Sequence, residues 1–245
     1  MNGSGVSVGA IDPRWPRGTL MSRLDPDTVD ELLGLAAGQE YRLGTVLIRE
    51  GGRGTHVYLL RPTGRARLAC VKVTATSESG IETMLGIRAA GDIVGELAVL
   101  GLDARSATVT TCSTLTAHAI PADTFMAFLA RRPQAWRVLT LMIAERLEWA
   151  NRRRIDYSGH DATVHTARVI ADLLDLYGYR PAGGGEELGV SLSQLELGSL
   201  IGASKETVAK AVKQLRAMGL IETRYRRIIV LDPVALRSFA RLTTP

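Results

Sequence analysis

Gly95-Glu96-Leu97-Ala98, followed by Arg105-Ser106-Ala107, combines the groups needed to hold a phosphate ester joined to a ribose. A strand ending at Gly95 with a helical turn beside it leaves backbone N–H groups free for an anion. Arg105 offers a charge-assisted fork to exocyclic phosphate oxygens, and Ser106 adds a hydroxyl donor. Glu96 only accepts when ionised, which suits a ribose 2′-OH and not the phosphate itself. The competing use of Glu96 and Arg105 is a salt bridge on a loop.

A second constellation lies about a hundred residues downstream. Ser193-Gln194-Leu195-Glu196 has the pattern of a capping box, and Leu197, Leu200 and Ile201 give the helix it opens a buried side. Gly202-Ala203 makes a tight turn. Ser204 then caps another helix, with Val208, Ala211, Val212 and Leu215 inward and Gly219 as its left-handed stop. Lys205, Glu206, Lys210 and Lys213 are left on the outer face. A recognition helix meets base edges near its N-terminus, where lysine donates to guanine and glutamate accepts from cytosine. Ser193 and Gln194 lie where the first helix would meet phosphate. Ile221–Thr223 and Ile228–Val230, joined by Arg224-Tyr225-Arg226-Arg227, read as a wing with a basic tip that puts Arg226 against DNA. From Ser204 to Val230 seven basic residues face two acids, an excess equal to the +5 of the whole chain. That concentration favours a polyanion over an idle solvated surface.

Read together, the two segments resemble the cyclic AMP receptor protein (CRP/FNR) family, from about Leu24 to Val230. The resemblance is carried by the Gly95–Ala98 and Arg105–Ala107 cassette. It is carried equally by Ile201-Gly202-Ala203-Ser204-Lys205-Glu206-Thr207-Val208. It implies a homodimeric transcription regulator, controlled by a cyclic nucleotide (cyclic AMP first, cyclic GMP as alternative), that binds double-stranded DNA. RNA polymerase is a further implied partner. Lys205, Glu206 and Lys210 fall on the family's base-reading positions, and Ser204, Thr207 and Lys213 accompany them. The family's adenine-contacting Thr-Ser pair on the long helix is replaced by Ala150-Asn151, which leaves Asn151 as the polar contact to the purine. A ligand-independent regulator, or one answering a different ligand, is the alternative.

The elements that must position these groups are legible in outline. Leu24–Ala37 reads as a short helix. Short β-branched runs separated by glycines then predict an antiparallel jelly-roll up to about Ala119, with Pro62 marking a bulge or loop. Beyond Ala122 the pattern turns helical. A long helix from Pro133 to about Arg154 carries Trp136, Leu139, Ile143, Leu147 and Ala150 along one seam, which predicts self-pairing. The fold class is therefore α+β. A tail (1–20) precedes a cyclic-nucleotide-binding barrel (21–132), a dimerisation helix (133–156), a hinge (157–160) and a winged helix-turn-helix domain (161–245).

Composition closes off other classes. An apolar share of 46% with mixed charges indicates a folded chain. No apolar run approaches the roughly 18 residues of a membrane span. The start lacks a signal-peptide pattern, so a cytoplasmic protein is expected. Cys70 and Cys112 are expected to be buried, reduced thiols, too few for an iron–sulfur site. A metal-dependent barrel enzyme would need clustered ligands, whereas His56, His118, His160 and His165 are scattered. No nucleophile–base pair appears, so neither enzymatic activity nor a metal or cofactor is expected.

Overall fold

The computed structural model describes residues 15–64, 69–102, 104–157, 161–181 and 184–241. Most of the expected N-terminal tail and residues 158–160 of the expected hinge lie outside these. Helix α1 (Pro26–Gly34) begins where Asp25 accepts from the Thr28 amide and Pro26 fits the first turn. Strands β1 (Gly38–Tyr41), β2 (Val46–Ile48), β3 (His56–Pro62), β4 (Cys70–Thr76), β5 (Glu82–Ala89) and β6 (Ile93–Val94) follow. A single helical turn, α2 (Glu96–Val99), precedes β7 (Thr108–Thr111) and β8 (Leu115–Pro121).

Two antiparallel sheets, in the orders β1-β8-β3-β6 and β2-β7-β4-β5, enclose an apolar interior that includes Leu60, Val71, Val94 and Val109. Alternation along β3 explains its two faces. Leu60 points into the barrel, whereas Val57 and Leu59 pack outward against α1, α3 (Ala122–Arg131) and α4 (Pro133–Tyr157). Pro62 does not bulge the strand. It is the last residue of β3, opposite Leu115, where a missing N–H costs little.

Helix α4 runs to Tyr157, past the expected end at Arg154. Its apolar seam divides: Leu139 is buried in its own domain beside Phe125 and Phe128, whereas Trp136 and Leu147 are 43% and 62% exposed. Beyond it come α5 (Ala162–Tyr177), β9 (Glu186–Glu187), α6 (Gln194–Ile201) and α7 (Lys205–Ala217). The chain then forms β10 (Ile221–Arg224), β11 (Arg227–Val230) and α8 (Pro233–Arg241). Helix α8, absent from the sequence expectations, closes this core through Leu236 and Ala240. Cys70 and Cys112 are buried free thiols. Among the described residues, no helix is long and apolar enough to cross a membrane.

Candidate functional site

The cassette lines a cavity of about 380 Å³ in the barrel. Gly95 makes its turn possible, because φ is +84° and an added Cβ would meet Arg105 Nη1 at 2.5 Å. The turn starts α2, whose first amides have no intrahelical acceptors. Gly95, Glu96, Leu97, Ala98, Arg105, Ser106 and Ala107 all border this space.

Arg105 is 7% exposed and donates to the carbonyls of Gly95 (2.6 Å) and His56 (2.5 Å). Burial pulls its pKa down, although it stays far above neutral pH as an arginine. Glu96 does not pair with Arg105 as the loop alternative supposed. Its carboxylate accepts from Arg146 Nη1 at 2.7 Å, and Arg146 Nη2 reaches Asp92 at 2.8 Å. Burial opposes the Arg146 charge, but Asp92 and Glu96 outweigh it and hold its pKa above the ordinary value. Arg146 was missed in the sequence, although helical spacing puts it on one face of α4 with Ile143 and Ala150. Asn151 is exposed and lies off the cavity wall of its own chain, where Ala150 stands instead. The helix turns their side chains about 100° apart.

The downstream module forms a two-helix reader. The capping box closes between Ser193 and Glu196, Gly202 takes φ +69°, and the Ser204 hydroxyl accepts from the Thr207 amide. Val208, Ala211, Val212 and Leu215 are buried. Gln194, Ser204, Lys205, Glu206, Lys210 and Lys213 are exposed, while Ser193 and Thr207 are half-buried. The wing is the β10–β11 hairpin, with β9 added beyond β11. Arg226 departs from its expected part. At φ +53° it turns back, donating to Ser191 Oγ (3.0 Å) and Glu196 Oε2 (2.7 Å), so it braces the module instead of facing outward.

Strand β5 joins the two sites. The amide of Met84 donates to Ser199 Oγ of α6 at 2.7 Å, and the Ile87 carbonyl accepts from Tyr177 of α5 at 3.1 Å. Trp149 of α4 donates to Asp172 at 2.9 Å, and Gly18 to the Leu176 carbonyl at 2.8 Å. Met84, Ile87 and Ala89 share one apolar cluster with Leu174, Leu197 and Leu200.

Two family models match in this same order: a cyclic nucleotide-binding domain over residues 38–132 and a Crp-like helix-turn-helix domain over residues 167–239. The chain belongs to the CRP/FNR family. A Mycobacterium tuberculosis protein described as a CRP-like cAMP-activated global transcriptional regulator is 25% identical over 231 residues, 94% of this chain and 100% of that one. The cyclic AMP receptor protein of Thermus thermophilus is 25% identical over 90% of this chain and 96% of its own. Among solved structures, the c-di-GMP-responsive regulator CLP of Xanthomonas campestris shares the fold, with TM-score 0.67 and 21% identity. It matches 85% of this chain and 100% of that one. FixK2 of Bradyrhizobium japonicum aligns with TM-score 0.67 and 18% identity, over 83% and 96% of the two chains. This CRP/FNR protein is accordingly a cyclic-nucleotide-binding, DNA-binding transcription regulator and not an enzyme. Among the described residues, no three His, Cys, Asp or Glu side chains gather as a metal site.

Proposed function

We propose that the protein is a homodimeric regulator whose DNA affinity is set by a cyclic purine nucleotide in the barrel cavity. The observation that carries this reading is the cassette's shared cavity, with a guanidinium, a hydroxyl and helix-start amides at one end. Its volume of about 380 Å³ falls within the usual range for small-molecule sites. Arg105, Ser106 and the amides of Glu96–Ala98 hold the phosphate, and Glu96 takes the ribose hydroxyl. Cyclic AMP is named in the descriptions of two relatives. Cyclic GMP is the alternative, and the choice turns on the base end of the cavity.

Dimerisation uses the exposed face of α4 around Trp136 and Leu147. Asn151 meets a purine only when a second copy supplies it. The dimer presents two α7 helices to half-sites about one DNA turn apart, with Lys205, Glu206 and Lys210 at base edges and Lys213 at phosphate. The protein acts in the cytoplasm, with RNA polymerase as its partner at promoters. Calorimetry with cyclic AMP and cyclic GMP on wild type and Arg105→Ala tests the ligand half. Loss of binding in the variant is expected, and undiminished binding overturns the assignment. Gel shifts at fixed salt, with and without nucleotide, test the control half. Equal DNA affinity in both would mean ligand-independent regulation.

A further inference from the structure

Arg88 is the charged side chain on the cavity wall for which the cassette has no task. Its ladder partner on β4 is Val71, as Val73 is the partner of Gly86, and both valines belong to the apolar layer inside the barrel. Gly86 and Arg88 therefore face the cavity, while Ile87 and Ala89 face the DNA-binding module. A Cβ on Gly86 would lie 2.8 Å from Arg88 Nη1, so the glycine makes room for the guanidinium.

That guanidinium is poorly supplied with acceptors. Nη1 donates to the neighbouring Ile87 carbonyl at 2.7 Å, and the Tyr177 hydroxyl lies against the group. Nε stands 3.9 Å from Asp92 Oδ2, beyond hydrogen-bond reach, and Asp92 Oδ1 is taken by Arg146. Burial first, and then Arg146, push the Arg88 pKa down. The wall around it, from Val73 and Leu85 to Leu147 and Ala150, is apolar. Both amino groups of Arg146 are engaged by Asp92 and Glu96.

Strand β7, which follows directly on the Arg105 loop, lies two strands from β5 in the order β2-β7-β4-β5. That offset is roughly 10 Å, comparable with the reach of a nucleotide from phosphate to base. A base carried by a phosphate at Arg105 thus meets the Arg88 guanidinium, whose five N–H donors outnumber its partners Ile87 and Tyr177. A guanidinium only donates. Guanine offers O6 and N7, two acceptors matched to its fork, whereas adenine puts an amino donor at position 6.

We propose that Arg88 makes this cavity selective for cyclic nucleotides of 6-oxo purines, cyclic GMP above all, over cyclic AMP. The proposal rests on the nucleotide reading given above and deepens it by naming the base.

The test is calorimetric titration of the full-length wild type with cyclic GMP, cyclic IMP and cyclic AMP at fixed salt. Cyclic IMP carries oxygen where cyclic AMP carries the amino group and lacks the 2-amino group of guanine, so it isolates position 6. Both oxo purines should bind about tenfold or more tighter than cyclic AMP. Arg88→Leu should bring them down to the level of cyclic AMP, and Arg88→Lys, which keeps charge without the fork, should retain only part of the preference. Equal or tighter binding of cyclic AMP by the wild type overturns the proposal, as does a preference that survives Arg88→Leu. The wild-type series needs no variant to fold. If all three bind alike and all weaken in Arg105→Ala, only the role of Arg88 falls. If none binds the wild type, the nucleotide reading itself fails and the proposal with it.

Discussion

Met84 and Ser199 are joined by a backbone-to-hydroxyl hydrogen bond of 2.7 Å that links a wall strand of the nucleotide cavity to the first helix of the DNA reader. Strand β5 thus has two owners. Gly86 and Arg88 belong to the cavity side, and Met84, Ile87 and Ala89 to the core of the downstream module. Any change of the cavity wall that tilts this strand is felt directly under α6. Under the ligand control proposed above, this contact is a place where cavity and reader would be coupled.

Ser199→Ala leaves the Met84 amide without its acceptor. A net loss of about 1 kcal/mol is expected for such a bond. Deuterium exchange over residues 82–89 should accelerate severalfold in the ligand-free protein, with little change in α7. Unchanged exchange would mean that this bond adds nothing to a junction held by the Tyr177, Trp149 and Gly18 hydrogen bonds and the apolar cluster.

Arg146→Ala strips the shared cation from Glu96 and Asp92, whose side chains are 8% and 1% exposed. Glu96 would then lose its cation, and Asp92 would keep only the Arg88 guanidinium at 3.9 Å. A destabilisation of about 3 kcal/mol is expected, read as a lowered denaturant midpoint, together with weakened nucleotide binding. Arg146→Lys should recover part of the stability, because one ammonium cannot span both acids as the fork does.

Leu147→Glu places a charge on the exposed apolar face of α4. Sedimentation should report a shift from dimer toward monomer, with DNA affinity falling in parallel because two half-sites are no longer bridged. A fully dimeric variant would remove this face from the interface.

Lys213→Ala should weaken DNA binding almost equally on all sequences and reduce the salt slope of log K by about 0.9, the signature of one lost phosphate contact. Lys205→Ala should instead relax preference at one base pair, at a cost of about 1–3 kcal/mol there. Fluorescence anisotropy at several salt concentrations separates the two.

Glu187 ties the wing down, with Arg227 donating to it from Nε at 2.5 Å. Burial works against its charge, yet the bonds from Arg227 and Tyr179 prevail and hold its carboxyl below the ordinary 4.5. A depressed acid contributes stability above the unfolded value and loses it as pH falls through the folded one. The stability difference between wild type and Glu187→Gln should therefore be full above pH 4.5 and shrink below it. A pH-independent difference would show that the ion pair contributes nothing.

The sequence alone determined the local chemistry. A serine two or three residues before an amide, a glycine able to take positive φ, and an apolar step of three or four fix caps and turns within one helical turn. That is why the capping box at Ser193, the turn at Gly202 and the inward face of α7 were legible. The same holds for the cassette from Gly95 to Ala107, whose members lie close along the chain. Only the tertiary structure decided the partners brought from far away. Arg146 reaches Glu96 across 50 positions, Arg226 folds back on Glu196, and β5 presents Arg88 to a cavity while its other face carries the DNA module. Charge and hydrogen bonding act over a few ångströms whatever the separation in sequence. Which arginine finds which acid is therefore set by sheet register and helix rotation, and no spacing rule encodes these.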